Sequence, residues 1–306
     1  MDIAAEDLNV VQWLRENRTE GCTSGAIDLA AGYWHLEVVQ WLHSNRTEWC
    51  STDAMDLAAL QTRDDDLKTL SWMHSSHKGN WSKEIMNIAA ANGHLDIVKF
   101  LHENRREGCT KAAMDGAAKN DHFDVLKWLR SNRREGCTTA AINSAVRNEN
   151  FEMVKWLQAN RREGCTKIAM SLAAARGDLK TMKLLNADYS LKWGNQHMKN
   201  AVVYGHVGII KWFHFELEYP LHWNYTIETA RHNHIGVLEL LHTETGICRN
   251  PSVYHVGAKN GNPEVVQWYK NRYGKPSASV SRSETTIINF SILMTMISVS
   301  IYFNVY

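Results

Sequence analysis

Six cysteines and fifteen histidines are the first residues in this chain that could do chemistry. Cys22, Cys50, Cys109, Cys137 and Cys165 fall at one position of a recurring pattern, and Cys248 lies one residue from it. Twelve residues separate Cys22 from His35 and Cys109 from His122, which is the spacer of a zinc finger. Each unit nevertheless offers a single cysteine, with no paired cysteine before it and no paired histidine after it. Two of four ligands cannot close a structural zinc site. Disulfides fail on distance: equivalent positions in stacked helical units lie about 10 Å apart, beyond the Cα separation that a disulfide allows. Trp81 and Trp193 stand where cysteine stands elsewhere, and Trp49 directly precedes Cys50, so the thiols read as apolar plugs at the base of a loop.

Arginine is the second candidate. Arg105-Arg106, Arg133-Arg134 and Arg161-Arg162 recur within Asn-Arg-Arg-Glu-Gly segments. Six guanidiniums at one repeat position form a ladder along one edge, and such ladders grip acidic partners or phosphates. Glu107, Glu135 and Glu163 follow at once, so each rung is half-neutralised, and a solvated, self-paired edge is the competing reading. These six arginines are the partner-binding candidates. No Gly-rich phosphate loop, nucleophile elbow or His-Glu-x-x-His occurs. No catalytic residue, cofactor, metal or small-molecule substrate is therefore expected, and the chain is not expected to be an enzyme.

Composition narrows the class. Lys+Arg 34 against Asp+Glu 33 leaves a net charge of +1, which argues against a strongly basic nucleic-acid binder. Gly 18 and Pro 4 in 306 residues disfavour collagen-like, Pro-rich and turn-dense β architectures. The start, Met1 to Val10, carries Asp2, Glu6 and Asp7 and no apolar run, unlike a secretory signal. The cysteines then belong to a reducing compartment, cytoplasmic or nuclear.

What must position these residues is a repeat. An aromatic-aliphatic or equivalent pair recurs at Trp13-Leu14, Trp41-Leu42, Trp72-Met73, Phe100-Leu101, Trp128-Leu129, Trp156-Leu157, Leu184-Leu185, Trp212-Phe213, Leu240-Leu241 and Trp268-Tyr269. Eight of the nine intervals are 28 residues and one is 31, and a period held from end to end means a stacked array. Each unit predicts two short helices. The first carries apolar residues at Ala113, Met114, Ala117 and Ala118, whose small alanines admit a close neighbour. The second turns Leu95, Ile97, Val98, Phe100 and Leu101 inward. Seven of the twelve tryptophans share the Trp-Leu position and are expected in the core.

The punctuation fits. Thr23, Ser51, Ser82, Thr110, Thr138 and Thr166 stand where a helix needs a cap. The second helix is entered at His35, His94, His122, His206 or His234, or at Asp66, Asn150, Asp178 or Asn262, which reads as a surface or capping position. Asn17, Asn45, Asn104, Asn132 and Asn160 follow the Trp-Leu pair, where a left-handed helix terminus tolerates asparagine.

At Ala89-Ala90-Ala91-Asn92-Gly93-His94-Leu95-Asp96-Ile97-Val98-Lys99-Phe100-Leu101 the chain closely resembles the ankyrin repeat, whose Ala-Ala-x-x-Gly-His-x-x-x-Val-x-x-Leu-Leu core aligns from Ala89 through Leu101. The alanine pair recurs at Ala30-Ala31, Ala117-Ala118 and Ala173-Ala174. Ankyrin units run about 33 residues, so these are shorter and lack the hairpin finger. Ala113-Met114-Asp115 and its equivalents replace the family's Thr-Pro-Leu-His turn, with aspartate at the histidine position. Tryptophan replaces an aliphatic residue in the second helix. The resemblance, to the short-loop type found in expanded families of microbial eukaryotes, implies an all-α solenoid of about ten helix-turn-helix repeats over residues 1–272. It also implies a non-catalytic scaffold that binds another protein along the repeat surface. A recognition subunit of an enzyme complex is the alternative.

The ends depart from the pattern. Met1-Asp2-Ile3-Ala4-Ala5 aligns with Met114 to Ala118, inside a first helix. Tyr225-Thr226 and Gly257 stand where alanine or methionine is usual. Residues 273–284 read as a polar linker, and 285–306 carry no charge and are rich in isoleucine, methionine and valine. About 20 apolar residues span a bilayer, and Lys270, Arg272, Lys275 and Arg282 would keep the array cytosolic. Asn289, Ser291, Ser298, Ser300 and Asn304 weigh against a span. A membrane-tethered scaffold and a non-native extension therefore stand side by side for this segment.

Overall fold

The computed structural model describes residues 7–17, 24–33, 35–45, 66–76, 81–188 and 194–276. Among the described residues there are 18 α-helices, one π turn, one 3-10 turn and no strand, so the chain is all-α. Helices alternate short first and second members. They group into two compact units, Met1–Ala169 and Met170–Tyr306, each a stack of helix pairs of the solenoid kind.

In the first unit the clearest pairs are Glu84–Ala91 with Leu95–Asn104, Lys111–Lys119 with Phe123–Asn132, and Thr139–Arg147 with Phe151–Asn160. None of these helices is long enough to persist alone in water, so burial against neighbours holds them. The first helices bury Ala113, Met114, Ala117 and Ala118 or the equivalent Ala141, Ile142, Ala145 and Val146. Their small side chains let successive first helices approach closely; a Cβ on Gly116 would lie 2.7 Å from Ala91 Cβ. The second helices bury Ile97, Val98 and Leu101, then Val125, Leu126 and Leu129, then Met153, Val154 and Leu157.

This inward stripe corrects the tryptophan expectation. Of the tryptophans at the Trp-Leu position, Trp41, Trp72, Trp128 and Trp156 are half-buried, and Trp13 is 56 % exposed. Only Trp212 and Trp268 of that series are buried. Trp128 lies one residue before Leu129 on the margin of the stripe, and its indole meets the preceding second helix edge-on. His102 and Trp128 have ring centroids 5.2 Å apart, and His74 and Phe100 stand 5.7 Å apart in the same T-shaped way. The aromatic position thus seals one second helix to the next.

Two further expectations change. Asn104, Asn132 and Asn160 do not adopt the left-handed conformation. Each side-chain amide donates to the carbonyl four residues back, on Phe100, Trp128 and Trp156, at 2.8–2.9 Å. The chain then leaves in extended conformation at Arg105, Arg133 and Arg161. The histidines at the second-helix entry occupy the capping position without a side-chain capping bond. They act between pairs. From Glu84–Ala91 onward the turn joining the two helices of each pair contains a left-handed residue, Gly93 in one pair and Asp121 in the next. His122 lies flat against Gly93, where a Cβ would sit 2.5 Å from the imidazole Nδ1. The threonine caps are as expected: Thr110, Thr138 and Thr166 each accept a backbone N–H two residues on, at 3.1–3.3 Å.

The second unit repeats the plan through Asn195–Val203, Trp223–Arg231 with Ile235–Thr245, and Ser252–Lys259 with Pro263–Tyr273. There His206 Nε2 lies 2.7 Å from Ala175 O, His234 Nε2 lies 2.7 Å from Val203 O, and Asn262 Nδ2 donates to Ala230 O at 2.8 Å. After Val207–Lys211 the helix widens into the π turn Trp212–Glu216. Thr226 at the methionine position and Thr229 at an alanine position are fully buried and donate their hydroxyls back to Trp223 O and Tyr225 O at 2.6 Å. Gly257 admits Val265, whose Cγ1 would stand 2.7 Å from a Cβ there.

No helix among the described residues is long and apolar enough to cross a membrane. Residues 285–306, Met1 to Ala5, Cys22 and Cys50 lie outside the described residues.

Candidate functional site: an arginine-lined loop edge

The three Asn-Arg-Arg-Glu-Gly loops of the first unit share one construction. Consecutive side chains of an extended backbone point to opposite sides, so each arginine pair is split. Arg105, Arg133 and Arg161 turn inward, with side chains 13 %, 21 % and 16 % exposed. Arg106, Arg134 and Arg162 turn outward and are exposed. The sequence pattern placed all six on one edge; the structure puts three of them there.

Each inward arginine donates from Nη2 to Oε1 of the glutamate two residues on: Arg105 to Glu107 at 2.6 Å, Arg133 to Glu135 and Arg161 to Glu163. The other oxygen, Oε2, accepts the backbone N–H of the outward arginine at 2.9–3.0 Å. Both oxygens of every loop glutamate are therefore engaged within the loop. Burial alone would raise the Glu135 carboxyl, but the Arg133 guanidinium and the backbone amides outweigh it and hold it down to about 2. Glu107 and Glu163 are lowered in the same way, by Arg105 and Arg161.

The inward arginine also reaches the preceding loop. Arg133 fills the space beside Gly108, and Arg161 fills that beside Gly136, so a side chain at either glycine would overlap a guanidinium. Both glycines are left-handed, at φ +72 and +79. Arg133 Nη1 lies 3.3 Å from His102 Nδ1 of the preceding second helix. Where Trp81 takes the cysteine position, Arg105 stacks over its indole at 4.7 Å and Glu107 accepts the Trp81 backbone N–H at 3.2 Å. Cation–π stacking and charge-assisted bonds together lock loop to loop.

Cys109, Cys137 and Cys165 lie beneath these loops, buried and unpaired. Burial pushes their thiols up to about 11. The nearby glutamate charge adds to this at Cys109 and Cys137. They stay protonated at neutral pH and serve as packing, not as nucleophiles.

A second stitch joins the first helices, and sequence reasoning noticed it only as an aspartate replacing a histidine. Asp115 accepts the Thr138 N–H and hydroxyl, both at 2.8 Å. Asn87 and Asn143 make the equivalent amide pair with Thr110 and Thr166 at 2.9–3.0 Å. The signal was present: an Asp or Asn stands five residues after each capping Thr or Ser from Thr23 to Thr138. Among the described residues no three His, Cys, Asp or Glu side chains gather as a metal site would require.

A family model described as ankyrin repeats (many copies) matches residues 109–158, a segment that includes the loop of Arg133 and Arg134. The ankyrin-repeat resemblance is met on that segment. Ankyrin repeats generally mediate protein–protein interaction. No curated protein matches the chain.

Proposed function

With ankyrin repeats as the premise, we propose that this chain is a non-catalytic scaffold that binds a partner protein along its repeat surface, at the loop edge carrying Arg106, Arg134 and Arg162. One observation carries the reading. In the first unit the groups with chemistry to offer hold the repeats together, whereas one guanidinium per loop faces solvent at the same place in three successive loops. Clamped loops present those three groups with little left to order on binding, and pre-ordering of this kind favours affinity. Thiols kept buried and protonated suit a reducing compartment, the cytoplasm or nucleus. As a recognition arm the chain would equally serve a complex whose partner performs the chemistry.

The test is site-resolved crosslinking in extract from the source cell. A photo-crosslinking residue replaces Arg106, Arg134 or Arg162 in turn, and Asp124 or Glu152 on the second-helix face as controls. One protein captured from all three loop positions, and competed away by unmodified chain, supports the reading. Capture only from the second-helix positions would move the binding face and sink this assignment.

A further inference from the structure

We propose that the loop edge of the first unit takes an extended acidic peptide segment with a carboxylate at every third residue, one for each of Arg106, Arg134 and Arg162. This rests on the scaffold reading above and adds the chemistry of the partner.

The sequence alone suggests half-neutralised rungs. The geometry assigns the neutralisation to one arginine of each pair. Glu107, Glu135 and Glu163 spend Oε1 on the inward guanidinium and Oε2 on a backbone amide. The side chains of Arg106, Arg134 and Arg162 pair with no acid among the described residues. Over residues 103–111, 131–139 and 159–167 the exposed charges are Arg106, Lys111, Arg134, Arg162 and Lys167 against the single carboxylate of Glu103. An almost neutral chain thus concentrates uncompensated positive charge on one edge, which draws anions by long-range attraction.

Spacing selects the kind of anion. Successive units stack about 10 Å apart, and an extended peptide advances about 3.3 Å per residue. Three residues therefore carry the peptide from one rung to the next. The same side of an extended chain recurs every second residue, so a period of three requires the peptide to twist as it runs, as polyproline-like segments do at about 3.1 Å per residue. A planar guanidinium accepts a carboxylate in two parallel hydrogen bonds. A nucleic-acid duplex instead offers a charge every 1.7 Å or so of its axis, far denser than three rungs can match.

The test uses fluorescence anisotropy with the full chain and three labelled peptides of equal charge. One has glutamates three residues apart, one has three adjacent glutamates, and one has glutamates six apart, all on a serine background. The three-apart peptide is expected to bind at least tenfold tighter than the others. The variant Arg106→Ser/Arg134→Ser/Arg162→Ser should lose that affinity tenfold or more. Lys99→Ser/Lys127→Ser/Lys155→Ser, with the same loss of charge on the second helices, should change it less than twofold; thermal melts check that both variants fold. Equal losses in the two variants, no preference for spacing, no binding at millimolar peptide, or displacement by oligo-dT at lower concentration than by the three-apart peptide would each overturn the proposal. Crosslinking of the cellular partner separates the two claims: capture retained from one loop position when the other two arginines are serine overturns the acidic-segment inference and leaves the scaffold standing.

Discussion

The loops of residues 104–110, 132–138 and 160–166 and the corresponding loops of the second unit solve the same problem with different chemistry. Both units keep helix pairs in register by reaching from the turn between paired helices back to the preceding pair. In the first unit Asn148 donates to Ala118 O at 3.2 Å and Lys119 O at 3.0 Å. In the second, His206, His234 and Asn262 reach preceding carbonyls in the same manner. The loops differ. The first unit clamps each with an inward arginine, a glutamate and a left-handed glycine. The second joins Val207–Lys211 to Trp223–Arg231 through a π turn, where Tyr219 N–H donates to Phe213 O at 2.9 Å. Its last pair instead closes on Glu239, whose two oxygens accept Arg272 Nη2 at 2.6 and 2.7 Å while Trp268 Nε1 donates at 2.8 Å. Helix stacking therefore does not require the arginine clamp. Where the clamp recurs, it shapes the loop edge itself.

Four measurements would break or sharpen that comparison. The largest expected effect is in the shared core: Leu129→Ala removes a fully buried side chain and should cost about 2–5 kcal/mol in denaturant unfolding. Loss below 1 kcal/mol would show that the inward stripe is misassigned. Next comes the clamp. Glu135→Gln strips the charge that Arg133 and the loop amides hold, and should cost about 1–2 kcal/mol. It should also blunt acid sensitivity. The folded-state Glu135 carboxyl lies near 2, below its usual 4.5. Its contribution is therefore fully present above about pH 4.5 and drains as pH falls toward 2. Glu107 and Glu163 are lowered likewise and add to the loss of stability in acid. A pH–stability curve identical for the variant and the parent below pH 4.5 would refute the clamp.

Smaller still is Trp128→Ala. A half-buried indole sealing an edge should cost about 1–2 kcal/mol, less than Leu129→Ala, because a partly exposed site leaves no closed cavity. A cost equal to or above that of Leu129→Ala would restore tryptophan to the core. The smallest is Arg134→Ala, expected within about 0.5 kcal/mol of the parent, as for exposed side chains without a structural partner. A loss beyond 1 kcal/mol would mean that the outward arginine belongs to the clamp after all.

Much of the fold was legible in order along the chain. The 28-residue interval implied stacked pairs, Thr110, Thr138 and Thr166 marked helix starts, and the alanine pairs marked the close-packed helix. Those signals are local: a cap, a stripe and a glycine depend on residues within one or two turns. The site was legible only in outline. Arg105 and Arg106 are identical residues side by side, and nothing in their order says which one turns inward. That choice belongs to groups about 28 residues away. Trp81 offers an indole face to Arg105, and Gly108 with His102 leaves space and a nitrogen for Arg133. Trp128 presents the same case, since its exposure depends on His102 in the preceding pair. The sequence by itself determined the period, the helix pairs and the residues available at each rung. Only the stacking of one repeat on another decided which arginines brace the loops and which face a partner, because the deciding contacts lie between repeats and not within them.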